Sequence, residues 1–396
     1  MSVTDDIVIT GLGIFSPIGC DATAFWESLI QGRSGARAVT NMDTTQLTRH
    51  AACTIAEPID ESIPGGRASK LAVMAARQAL TDAGWGESLP PDLRSSITIG
   101  TTMGETQFIE DELFSADADW LAAEHVRRIV SGQPGCIARA VREDCGATGA
   151  AVDLYGACAA GNMAITTACR ALASGECDVA LAGGADGFSR LAFIGFMRLR
   201  LTTADVCRPF DKQRDGLLVG EGATVFVLER AKEAAARGAT PRARVAGGAM
   251  TSESYHPTRP DPEGDGLTRA IRGALTDASM SPQDIDYVNA HGTGTPQNDM
   301  IEVKVMEQCL HPKTPFSSTK ALTGHTMGAA GAMEAAVCLL SLEHQTIIPT
   351  WHLREVLEPC SMDAVRDEPR SAKLRTVLNN SAGFGGYNSS VILTAA

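Results

Sequence analysis

The chain has 396 residues, 44% of them hydrophobic and 5% aromatic, with 39 glycines and a formal net charge of −13. Its length, about twice that of a usual domain, implies one large domain or two fused halves and argues against disorder, and its acidic balance gives no electrostatic reason for nucleic-acid binding, which calls for a basic face. No run approaches the ~20 apolar residues that cross a bilayer, and MSVTDDIVITGLG lacks the basic start and apolar stretch of a leader, so no membrane association and a cytoplasmic location are expected.

Short β-branched runs alternate with amphipathic stretches. IVIT (7–10) reads as a strand, 21–30 as a helix, and 69–83 as a helix closed by Gly84. Strands follow at 96–100, 151–155 and 178–184, with a helix between the last two. This alternation predicts a layered α/β architecture.

The rhythm then repeats. The stretch ALTDA at 79–83 recurs at 274–278, and Ala160-Gly161-Asn162-Met163 is echoed by Ala330-Gly331-Ala332-Met333. The copies are 195 positions apart in the first case and 170 in the second, which implies an insertion within about 102–150. Two related halves are predicted, 1–238 and 239–396, with the boundary after ERAKEAAARG.

Chemistry concentrates at a few strand ends. The eleven cysteines are odd in number and show no CxxC or zinc-like spacing, so reduced thiols and no metal site are expected. Cys158 differs from the rest: it follows the strand AVDLY through a small-residue turn and precedes a long helix, whose free N–H groups and dipole would lower its pKa. Ala157, Ala159, Ala160 and Gly161 would leave room beside the sulfur for an acyl chain. As one buried cysteine it could equally be a packing residue; the histidines tip the balance.

His291 ends the strand IDYVNA and opens the polar loop HGTGTPQND, ahead of the helix IEVKVMEQCL. His325 stands in STKALTGHTMGAAGAME, just before the second AGxM helix. Cys158 and His325 thus occupy matching places in the two halves, and a two-fold relation would bring them together. Lys320 and Glu334 are candidates to hold an imidazole and to pair with each other. In NNSAGFGGYN, Phe384 between Gly383 and Gly385 could serve as a gate and lend a backbone N–H to an oxyanion hole.

Taken together, GACAAGN, CRPFDKQRDGLLVGEGA, NAHGTGTPQND, STKALTGHTMGAAGAME and NSAGFGGYN resemble the elongating β-ketoacyl-[acyl carrier protein] synthases and the ketosynthase subunits of type II polyketide systems. The resemblance spans the chain. It implies the thiolase fold, two βαβαβαββ halves in a five-layered αβαβα arrangement, and a homodimer or a heterodimer with a related ketosynthase or chain-length-factor subunit. It further implies Cys158 as acyl acceptor, His291 and His325 as the histidine pair, and Lys320 and Glu334 as their support. Thr293 and Thr295 would contact the phosphopantetheine arm of an acyl carrier protein, and Phe384 and Gly385 would form the gate, with no bound cofactor.

Ala160, Ala382 and Tyr387 depart from the family pattern and lean towards polyketide, polyene or specialised fatty-acid assembly over housekeeping elongation. A non-catalytic chain-length factor would lack the nucleophile, a starter-selecting synthase would replace one histidine by Asn, and a thiolase would carry a second cysteine in 379–390. Arg67, Lys70, Arg198 and Arg200 are the residues expected to form a basic patch for the acidic carrier.

Overall fold

The computed structural model describes residues 7–107, 110 and 134–396. Most of the segment expected to hold the insertion therefore lies outside the described residues. The first half contributes β1 (Ile7–Phe15), β2 (Ala36–Ala38), β3 (Ala51–Cys53), β4 (Ser95–Thr101), β5 (Ala151–Tyr155), β6 (Val179–Asp186) and β7 (Gly222–Arg230). The second contributes β8 (Ala243–Ser252), β9 (Tyr287–Asn289), β10 (Pro315–Ser317), β11 (Thr346–Ile347), β12 (Asp363–Ala364), β13 (Arg370–Ser371), β14 (Thr376–Gly383) and β15 (Tyr387–Ala395).

Eleven of these strands run in the order β12-β10-β9-β14-β15-β8-β1-β7-β6-β4-β5. The link between β1 and β8 is narrow, confined to Val8–Arg244 and Ile9–Ala243. On each side of it stands a block of the same design. The first strand of the half pairs antiparallel with the last, as β1 with β7 and β8 with β15. The last strand pairs antiparallel with the one before it, β6 or β14. The outer pairings are parallel, β6-β4-β5 and β14-β9-β10, and a parallel pairing requires a crossover, here supplied by helices.

Helices Ala160–Ala173 and Ala330–His344 pack against each other and against both blocks, so they form a middle layer. Arg67–Asp82 and Cys136–Cys145 cover the outer face of the first block, and Asp265–Asp277 with Pro296–Cys309 cover that of the second. The result is the five-layered thiolase-type α/β arrangement. Its three buried seams follow from strand period: Ala180 and Ala182 of β6 point to the central helices while Val179 and Leu181 point to the outer ones. In β15, Val391 and Leu393 face the centre and Ile392 the outer seam.

The central helix Ala330–His344 is buried on every side from Ala330 to Leu342, as a helix enclosed between two sheets must be. The outer helix Arg67–Asp82 buries only a stripe, Leu71, Ala72, Ala75, Ala76 and Ala79 among it. The expected helix at 21–30 runs Ala22–Gln31, with Asp21 accepting from the Ala24 N–H at 2.8 Å. The helix read as IEVKVMEQCL begins five residues earlier, at Pro296, because proline at the first helical position loses no hydrogen bond.

Candidate active site

Edge strand β5 runs into the turn Ala157–Ala159, and the central helix Ala160–Ala173 follows. Ala157 has φ 48, a left-handed backbone that turns the chain sharply and presents Cys158 at the helix start. The second half repeats the device: Met327, φ 53, opens the turn Met327–Ala329 ahead of Ala330–His344. The two turns touch. The predicted two-fold meeting of the Cys158 and His325 segments is thereby present in the fold.

The glycine at 161 serves a different purpose from the one expected. A Cβ on Gly161 would lie 2.5 Å from the Ala332 amide nitrogen, and one on Gly331 would lie 2.9 Å from that of Asn162. The room these two glycines leave is filled by the opposite helix, so Gly161 sets helix approach and not acyl space.

Cys158, His291 and His325 line one cavity of about 470 Å³, together with Thr293, Thr295 and Phe384. The histidine ring centroids are 5.3 Å apart and the planes 81° from each other. Lys320 Nζ lies 3.2 Å from His291 Nδ1, donates to the His291 carbonyl at 2.5 Å and pairs with Glu334 Oε1. Because the lysine nitrogen donates, Nδ1 of His291 accepts, and the ring proton sits on Nε2. Thr293 Oγ1 and Thr295 Oγ1 share a hydrogen bond of 2.8 Å. Gly385, φ 78, anchors the Phe384 loop by donating its N–H to the Pro257 carbonyl at 2.9 Å. The Phe384 ring leans on Phe196 with centroids 5.4 Å apart.

Two carboxylates that sequence reading passed over hold the histidine loop. Glu302 accepts the N–H groups of His291 and Gly292 at 2.7 and 2.8 Å. Asp299 accepts those of Thr293 and Phe210 at 3.0 and 2.8 Å. Both sit in the first two turns of helix Pro296–Cys309, where carboxylates commonly gather free N–H groups, and that position was the available signal. Asp186 is a third: it accepts from Thr101 Oγ1, Thr102 N, Met103 N and, across the halves, Gly328 N at 2.6–2.9 Å.

Burial dominates the electrostatics. It drives both histidines well below their ordinary pKa, with the Lys320 charge adding to the effect, so both are neutral at pH 7. Burial lifts Glu334 to about 7 against the pull of Lys320. It also pushes the Cys158 thiol up to about 12, outweighing Lys320 and the Phe384 N–H, both of which favour thiolate. The expectation of a lowered pKa is corrected here: a helix start stabilises thiolate only modestly, whereas complete removal from water costs the anion more.

A pH titration of alkylation follows. Iodoacetamide labelling of Cys158, read by peptide mapping, should rise close to tenfold per pH unit from 7 to 10, since the thiolate fraction grows so below the pKa. Levelling off above about pH 9 would mean a thiol poised like a free one.

The four basic residues expected at one patch divide. Arg67 makes a bidentate pair with buried Glu221 at 2.6 and 2.7 Å, and Lys70 pairs with Glu61. Arg198 and Arg200 are exposed, and Arg200 lines the cavity. Among the described residues no cluster of three or more His, Cys, Asp or Glu could hold a metal, and no helix is long and apolar enough to cross a membrane.

Comparison with known proteins bears on this geometry. The family models "Beta-ketoacyl synthase, N-terminal domain" and "Beta-ketoacyl synthase, C-terminal domain" match residues 4–234 and 242–354. The 3-oxoacyl-[acyl-carrier-protein] synthase 2 of Coxiella burnetii is 33% identical over 98% of this chain and 98% of its own. The ishigamide ketosynthase/chain length factor superposes with a TM-score of 0.91 at 37% identity, covering 99% of this chain and 100% of that one. A type II polyketide ketosynthase solved with its acyl carrier protein superposes with a TM-score of 0.89 at 26% identity, covering 99% and 100%.

Proposed function

The chain belongs to the β-ketoacyl synthase family, and on that premise we propose that Cys158 carries the growing acyl chain while His291 and His325 drive decarboxylative condensation with a malonyl-[acyl carrier protein]. The observation that carries this reading is the convergence of one cysteine, two neutral histidines and the Phe384 N–H on a single buried cavity.

In the first step the Cys158 sulfur attacks the acyl-carrier thioester, the bond between the acyl carbon and the carrier sulfur breaks, the Cys158 proton passes to the departing carrier thiolate, and the thioester is conserved on the enzyme. Malonyl thioester then occupies the cavity. Loss of carbon dioxide leaves an electron pair that spreads onto the thioester oxygen as an enolate. Neutral imidazoles suit this step: Nε2–H of His291, and the matching N–H of His325, donate to that oxygen without the cost of burying two further cations. The enolate carbon attacks the acyl-Cys158 carbonyl, whose oxyanion meets the backbone N–H groups of Cys158 and Phe384. The carbon–sulfur bond breaks, and 3-oxoacyl carrier departs. Lys320 and Glu334 act through His291, fixing its tautomer, and Thr293 and Thr295 offer hydroxyls to the phosphopantetheine arm.

The division into 1–238 and 239–396 is part of the same reading, since each half supplies one side of the site. So is a paired subunit. Among the described residues β5 ends the sheet order with one edge open, and its Val152 and Tyr155 are 47% and 44% exposed; such an edge invites another chain. The likeness to a ketosynthase with its chain length factor supports a heterodimer of that kind and a polyketide or polyene pathway, in line with Ala382 at the gate. Housekeeping elongation is the second reading, favoured by the likeness to a 3-oxoacyl-[acyl-carrier-protein] synthase 2.

Given acyl- and malonyl-carrier thioesters, the enzyme should release one carbon dioxide per 3-oxoacyl product. Arg198→Glu with Arg200→Glu should raise the KM for carrier-bound substrate about tenfold and flatten its salt dependence, because rim charges act chiefly on encounter. An unchanged KM and salt slope would remove these arginines from docking.

A further inference from the structure

The cavity is graded in depth. Cys158, His291 and His325 at its floor are 5%, 1% and 2% exposed, while two arginines, Arg200 and Arg259, line it as exposed residues. Neither guanidinium makes an ion pair or a side-chain hydrogen bond with any described residue, which sets them apart from Arg67, Arg214, Arg237 and Arg242. An exposed charge needs no partner, yet the main chain that carries each of these is fixed.

Arg259 belongs to a turn in which its own N–H and that of Thr258 both donate to His256 Nδ1, at 3.1 and 3.0 Å, with Pro260 fixing the next bond. Arg200 has φ 59, a left-handed conformation disfavoured for a residue with a side chain, stabilised where Leu201 N–H returns to the Phe196 carbonyl at 3.0 Å. Both loops also carry cavity-lining neighbours, Thr258 and Pro260 in one, Leu199 and Leu201 in the other. The acidic groups nearby are accounted for: Glu253 accepts from Asp261 N and Asn388 Nδ2 at 3.1 and 3.3 Å, and Asp261 accepts from Glu263 N at 3.1 Å.

We propose that Arg259 and Arg200 form an anion subsite at the cavity mouth that takes the phosphodiester of the carrier arm, making phosphate recognition a determinant of substrate choice in addition to contact with the carrier protein. The proposal rests on the ketosynthase reading above. A thioester reaching Cys158 at the floor leaves the far end of its pantetheine arm at the mouth, where that end bears one negative charge. On a chain of net charge −13 a phosphate is repelled by most of the surface, so two open guanidinium forks matter at this spot.

The test uses two carrier-free acyl donors that differ only by the phosphate, an acyl-4′-phosphopantetheine and the same acylpantetheine, with Cys158 acylation followed by intact-protein mass spectrometry. The wild-type enzyme should be acylated by the phosphorylated donor with a kcat/KM about tenfold higher, the preference shrinking in high salt. Arg259→Ala should bring the ratio close to one, Arg200→Ala should lower it, and Arg259→Lys should restore part of it. The ratio is internal to each variant, so a general loss of folding does not mimic the result. A wild-type ratio near one, or a ratio unmoved in both alanine variants, overturns the subsite. Acylation by both donors at equal rates would leave the ketosynthase reading standing while removing this one; acylation by neither would defeat both.

Discussion

Cys158→Ala should abolish acyl transfer. Incubated with an acyl-carrier thioester, the native enzyme gains the mass of one acyl group, and the variant gains none. Condensation should fall by a factor of at least about 10³, because the remaining groups have no covalent intermediate to work on. The substitution is small in structural terms: Cys158 is buried among alanines in a turn held by its backbone, and alanine leaves the malonyl side of the cavity lined as before. Slow carbon dioxide release from malonyl carrier is therefore expected to persist in the variant. An equal acyl adduct on both proteins would move the nucleophile elsewhere.

The second large effect separates the two half-reactions. His291→Ala and His325→Ala should each slow carbon dioxide release from malonyl carrier by about 10² to 10³, the usual cost of losing one donor to a developing oxyanion, while Cys158 still becomes acylated. Both imidazoles titrate well below 6.5, so the reactive neutral form survives mild acid, and release should not fall between pH 7.5 and 6.5 as it would with an unperturbed histidine. Unfolded histidine binds a proton near 6.5 and the buried ring does not, so these residues stabilise the fold fully above 6.5 and lose that contribution as pH falls. If either alanine variant blocked acylation as strongly as decarboxylation, the assigned division of labour would fail.

Much of this was legible in the sequence because the signals are local. Period-two runs and small-residue turns marked β1, β4, β6 and both central helices, and the repeated AGxM segment pointed to the pairing of Cys158 with His325. What stayed hidden depends on partners distant along the chain. Arg67 looked like a surface charge until Glu221, 154 positions away, was found buried beside it. Asp186, Asp299 and Glu302 are acidic residues in unremarkable sequence, yet each ends with several backbone N–H groups converging on it. The Cys158 thiol was misjudged for the same reason: a helix start is written in the local sequence, whereas exclusion of water is decided by everything packed around it.

The absence of a side chain at position 161 governs more than packing. With Ala332 directly across the contact, that bare backbone is the spacer between the turn that carries Cys158 and the segment that carries His325. A methyl group there, 2.5 Å from the Ala332 amide nitrogen, would act as a wedge between two cantilevers, widening the cavity their tips enclose while leaving each helix intact.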